Sequence, residues 1–174
     1  RYTTAKRIDA GTYIIRTRAD DGIRVYVDGN LVLDRWTTSA YQEDAVKIKI
    51  TDNKNAKSGE ENIHWIEVEY FENTGESAIE FSMIPYDEDS LISQDSWYAE
   101  YYNNVNFTGI TIVTGGKNFN NKISNLEFEW GYNSPHQSIK NDNFTARFIR
   151  DFKLPEGDYI IQSYADDGIR VYID

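Results

Sequence analysis

The chain has 174 residues, a formal net charge of -11 and no cysteine, so no disulfide framework is possible. No run approaches the roughly 20 apolar residues that a membrane-spanning helix needs. Acidity of this size opposes phosphate backbones and anionic lipid, so neither nucleic acid nor direct membrane insertion is expected, and cations and neutral ligands are favoured.

Taken in chain order, the sequence reads as strands. In "GTYIIRTR", Tyr13, Ile15 and Thr17 alternate with Ile14, Arg16 and Arg18; in "GIRVYVD", Ile23, Val25 and Val27 alternate with Arg24, Tyr26 and Asp28. That period of two predicts strands with two distinct faces. "DGNLVLDRW" then predicts a tight hairpin, because Asp28–Gly29–Asn30 supplies residues that tolerate positive φ. Asp28 and Asp34 flank this hairpin and read as turn residues. "VKIKI", "IHWIEVEYFEN" and "SAIEFSMI" continue the pattern, with His64, Ile66, Val68 and Tyr70 on one face and Trp65, Glu67 and Glu69 on the other. No segment reads as a helix. Short strands with Gly, Asn and Asp turns indicate an all-β antiparallel sandwich or barrel.

"PYDEDSLISQDS" (85–96) carries a proline, acidic residues and little periodicity, and reads as a linker. "WYAEYYNNVNFTG" then reads as the start of a domain. The chain also repeats itself. Residues 1–28 align without a gap on residues 147–174, and from Gly11 onward 13 of 18 positions are identical. A period of 146 residues is domain-sized. The expected organisation is therefore a C-terminal portion of a first domain (1–84), an acidic linker (85–96) and an N-terminal portion of a second (97–174). A portion of some 80 residues has a marginal core alone. The two are expected to assemble as one permuted unit, or as a strand-exchanged dimer or tandem.

Several stretches resemble the PA14 domain family, named after anthrax protective antigen. These are "WYAEYYNNVNFTG", "LEFEWGYNSP", "NFTARFIRDFKLPEGDYIIQSYADDGIRVYID", "DGNLVLDRW" and "IHWIEVEYFENTGESAIEFSM". Together they cover nearly the whole chain, although their order is permuted. The resemblance implies a β-sandwich, usually extracellular, attached to glycosidases, adhesins, toxins or sensors. In lectin-like members two adjacent aspartates, joined by a cis peptide, bind calcium, and calcium binds sugar hydroxyls. The pair maps onto Asp20–Asp21 and onto Asp166–Asp167.

On a regular strand, neighbouring side chains point to opposite faces, so two adjacent carboxylates share an ion only across a sharp turn. "ADDG" is equally an ordinary turn between strands, since Asp and Gly are common turn residues. Calcium takes about 6–8 oxygens, so a second loop must contribute. By the resemblance that loop is "FENTGES", through the Asn73 side chain and carbonyls near Gly75 and Ser77, with Asp52, Asn53 and Asn55 as a second choice. Trp36, Tyr41 and Trp65 are the candidate sugar platforms, with Tyr26 weaker; Trp97 and Trp130 read as packing residues.

No "HExxH" or "GxSxG" occurs. "TGGKNF" (114–119) reads as a turn, His64 as a core histidine and His136 as a loop residue without a catalytic partner. The expected function is a non-catalytic, calcium-dependent carbohydrate-binding module, extracellular or at the cell surface. It would recognise plant or cell-surface polysaccharide as a sensor or an enzyme appendage. The alternative is a structural or protein-interaction domain, as in toxin or adhesin components.

Overall fold

The computed structural model describes residues 1–54 and 56–173. Two antiparallel sheets face each other. The first has the order β1-β6-β3-β4, from β1 (Tyr2–Arg7), β6 (Ile63–Phe71), β3 (Gly22–Val27) and β4 (Asn30–Arg35). The second has the order β10-β8-β9-β5-β2-β7, from β10 (Thr145–Ile149), β8 (Tyr98–Tyr102), β9 (Thr111–Gly115), β5 (Gln42–Ile50), β2 (Gly11–Asp20) and β7 (Ala78–Pro85). The fold is the all-β sandwich that the alternation implied.

The alternation also assigns the faces. Ile15 and Ala19 of β2, Ile23 and Val25 of β3, Val46 and Ile48 of β5, and Ile66 and Val68 of β6 fill the space between the sheets. Burying each such isoleucine or valine stabilises the fold by roughly 1.5–3 kcal/mol. His64 shares that inward face and is buried. The predicted hairpin is present: Asp28 (φ 49) and Gly29 (φ 77) join β3 to β4 as a two-residue turn. Both positive φ values suit the right-handed twist of the flanking strands.

The second sheet is covered on its other face too. Ile14, Ala45, Tyr98 and Val113 pack there against Leu91 and Phe119. Leu91 belongs to a one-turn helix, α1 (Glu88–Leu91), inside the segment that reads as a linker from sequence. Its acidic composition hid the single apolar residue that anchors it. Strands from both halves of the chain share this sheet, because β9 pairs with β5, Val46 opposite Ile112 and Lys47 opposite Thr111. Trp130 packs as expected, edge-on to Tyr101 and Phe144 and stacked on Phe128. Trp97 meets Phe152 edge-on at 5.4 Å.

One expectation is corrected. The second copy of the repeat, with the same alternation as β2 and β3, forms no strand between 150 and 173. Its residues are exposed. The partners such strands need are already taken: β2 lies between β5 and β7, and β3 between β6 and β4. Period-two alternation specifies a surface that pairs and packs; it does not supply the partner. No described helix is long and apolar enough to cross a membrane.

Candidate functional site at the β2–β3 turn

The chain crosses from one sheet to the other between Asp20, the last residue of β2, and Gly22, the first of β3. The Asp20–Asp21 peptide is cis. Gly22 is required here for space. A Cβ would lie 2.1 Å from the Phe71 ring, which packs directly over the turn.

Asp21 is buried, and each of its carboxylate oxygens accepts one backbone hydrogen bond. One carboxylate oxygen accepts the Ser39 backbone N–H at 2.8 Å, and the other accepts the Asn73 backbone N–H at 2.8 Å. The loops after β4 and β6 are thus fastened to one side chain. Asp20 stays partly exposed, and its carbonyl accepts the Tyr70 hydroxyl. Glu72, the second residue after Tyr70, completes the group. One ligand oxygen from each of Asp20, Asp21 and Glu72 lies within 4.8 Å of the others. The Glu72 Oε1 atom is buried without a hydrogen-bond partner, while Oε2 accepts from Tyr70 at 3.4 Å. Burial, with the Glu72 charge beside it, raises the Tyr70 phenol above its ordinary pKa and keeps it a donor.

Arg35 holds the turn from beneath. It is almost fully buried. Nη1 donates to the Asp21 carbonyl at 2.7 Å and Nη2 to the Ala19 carbonyl at 3.1 Å. Its charge is balanced by Asp44, whose Oδ2 accepts from Arg35 Nε at 2.5 Å. Asp44 Oδ1 lies 3.0 Å from His136 Nε2. The Ser138 backbone N–H donates to His136 Nδ1 at 3.0 Å, so Nδ1 is the acceptor and Nε2 carries the proton toward Asp44. His136, read from sequence as an unpartnered loop residue, therefore buttresses the site from the other half of the chain.

The sequence candidates divide between places. Asn73 reaches Asp21 through its backbone N–H, a donor that cannot ligate a cation. Gly75 turns the chain between β6 and β7 with φ 114, and Ser77 stands exposed just before β7. Asp166 and Asp167 are also joined by a cis peptide, but they are exposed, lie outside any strand and belong to no carboxylate cluster among the described residues. Trp36 directly follows β4, 4.8 Å from Phe71, with the Arg24 guanidinium 4.6 Å from its ring. Tyr41 directly precedes β5, and its hydroxyl donates to Glu80 at 2.7 Å. This bond, aided by the Arg18 charge, lowers the Glu80 pKa. Trp65 stands apart. It lies near the start of β6, about 20 Å along the strand from Phe71. Asp52 and Asn53 lie at that far end, beside Trp65; Asn55 lies outside the described residues.

Glu72, Arg35 and Asp44 were not singled out from sequence. A signal existed for two of them. Arg35 falls in step with Leu33, and Asp44 in step with Val46 and Ile48, so each places a charge on an inward face. Two inward charges of opposite sign on different strands call for a pair. For Glu72 the signal was adjacency alone, since it precedes Asn73 in "FEN".

The chain is thus an antiparallel sandwich that gathers three carboxylates at the turn joining its two sheets. The chain belongs to the PA14 domain family, whose model matches residues 8–97 and again residues 93–174. Membership supports a carbohydrate-binding or adhesin-like module. Among curated proteins, the chain is similar to the anti-sigma-I factor RsgI3 of Acetivibrio thermocellus. The two are 24% identical over 180 residues, 93% of this chain and 26% of that protein. The chain thus spans about a quarter of that relative's length. No solved structure matches the chain.

Proposed function

We propose that the chain is a calcium-dependent carbohydrate-binding module that works outside the cell, without catalysis, as the sensing or targeting part of a longer protein. The observation that carries this reading is the orphaned, buried Oε1 of Glu72 within 4.8 Å of ligand oxygens on Asp20 and Asp21. A buried carboxylate oxygen without a donor is costly unless a cation or a donor satisfies it.

The donor set fits a hard divalent cation, since it is all oxygen and carries three negative charges. Asp20, Asp21 and Glu72 are the residues that would hold calcium. When bound, calcium would supply open positions for sugar hydroxyls, because it takes about 6–8 oxygens. The chain's own residues prepare the site. The Ser39 and Asn73 N–H groups orient the Asp21 carboxylate, Arg35 fixes the backbone carbonyls of the turn, and the Gly22–Phe71 contact sets how closely β6 approaches it. Trp36 and Tyr41, at the same end of the sandwich, are the platforms within reach of a sugar there. The similarity to an anti-sigma-I factor supports a regulatory, sensing context.

Calorimetric calcium titration, paired with a glycan array in calcium and in chelator, tests the reading. Calcium binding and chelator-sensitive glycan binding are expected in the wild type, and both should weaken by about tenfold or more in the D20N/D21N double variant with its circular dichroism unchanged. A chain that binds neither calcium nor any glycan would instead be a structural or protein-interaction domain.

A further inference from the structure

At the opposite end of the sandwich lies a cleft of about 790 Å³, whose lining includes Asp28, Gly29, Thr51, Asp52, Ile63 and Trp65. We propose that this cleft is a second carbohydrate site, one that needs no metal ion and takes a neutral oligosaccharide across the Trp65 indole. The inference rests on reading the module as a carbohydrate binder, but on residues separate from the carboxylate site.

Three observations carry it. First, Trp65 is 58% exposed on the outer face of its sheet, opposite the small Ala5 of β1. An indole face left open to solvent is available for stacking. Trp36, by contrast, is 40% exposed and already meets Phe71 and the Arg24 guanidinium. Second, the backbone that carries Trp65 is clamped. The Asp28 N–H donates to the Trp65 carbonyl at 2.8 Å, and the Trp65 N–H donates to Asp28 Oδ1 at 2.8 Å. Asp28 Oδ2 in turn meets His64 Nδ1 at 2.7 Å, which ties the turn to the core. A platform fixed before binding loses little entropy on binding. Third, the walls mix an aromatic face with hydroxyl and carboxylate groups in a volume typical of small-ligand sites, about 300–1,000 Å³.

This chemistry selects its ligand. A sugar ring with equatorial hydroxyls presents a flat C–H face to the indole and hydroxyl groups at its rim. The rim hydroxyls can donate to Asp52 and exchange hydrogen bonds with Thr51. Asp28, Asp52 and Glu60 outnumber Lys54 in the lining, and on a chain of net charge -11 this balance disfavours uronates and sulfated sugars. Neutral β-linked glucan or xylan chains fit these demands.

The test uses the whole chain with cellohexaose and xylohexaose as probes, by calorimetry in EDTA. Binding of at least one probe should persist in EDTA, should weaken by about tenfold or more in W65A, and should survive in part in W65F. D20N/D21N should leave this chelator-resistant binding unchanged. Absence of chelator-resistant binding to both probes, or wild-type affinity in folded W65A, would overturn the second site while leaving the calcium site standing. Conversely, W65A-sensitive binding in EDTA from a chain that takes up no calcium by calorimetric titration would remove the calcium reading and keep this one.

Discussion

Residues 11–27 and 157–173 are nearly the same sequence in two states. In the first copy Ile15 and Val25 are 0% exposed; in the second, Ile161 and Val171 are 56% and 53% exposed. The first supplies an interior strand to each sheet, and the second forms no strand. Propensity and alternation are identical, so neither decides the outcome. What differs is the presence of β4, β5, β6 and β7 beside the first copy. A strand is a property of a sequence together with its neighbours.

The largest effect is expected at Arg35, which pins the turn of the first copy. Replacing it with alanine leaves Asp44 buried beside His136 and frees the carbonyls of Ala19 and Asp21. Urea unfolding should show a loss of roughly 3–5 kcal/mol. Next comes the matched pair Ile15→Ala and Ile161→Ala. The buried site should lose about 2–5 kcal/mol and the exposed one no more than about 0.5 kcal/mol. Equal losses would mean that the two copies share the slot. The matched aspartates follow. D20N/D21N should weaken calcium binding by about tenfold or more, ~1.4 kcal/mol or above, whereas D166N/D167N should leave the calorimetric titration as in wild type. The smallest effect is expected from removing residues 154–174, which should shift the urea midpoint by no more than about 0.5 kcal/mol of stability. A large shift would show that the second copy contributes to the fold after all.

Much of this was legible in the sequence. The Asp28–Gly29 hairpin, the inward face of β6 and the turn character of "ADDG" all follow from local chemistry that acts within a few residues. What was not legible is long-range. Nothing local says that Trp36 and Tyr41 meet at one end of the sandwich while Trp65 stands at the other; that follows from strand direction and register. Nothing in "NSPHQS" says that His136 will find Asp44, because the two lie 92 residues apart and meet where the halves of the chain pack together. The tail failed as a prediction for the same reason, since its alternation is genuine and its partners are elsewhere engaged.

The seam between the two halves carries a mechanical consequence. The β2–β5 ladder runs from Gly11 opposite Ile50 to Ala19 opposite Gln42, while β9 is laced to β5 through Val46–Ile112 and Lys47–Thr111. A tether that stretches the chain loads the short lacing as well as the long one, and the short one yields at the lower force. The protein would then part into an N-terminal block that keeps Asp20, Asp21 and Glu72 and a C-terminal block that carries His136 away, so tension alone would strip the Asp20–Asp21 turn of its remote brace.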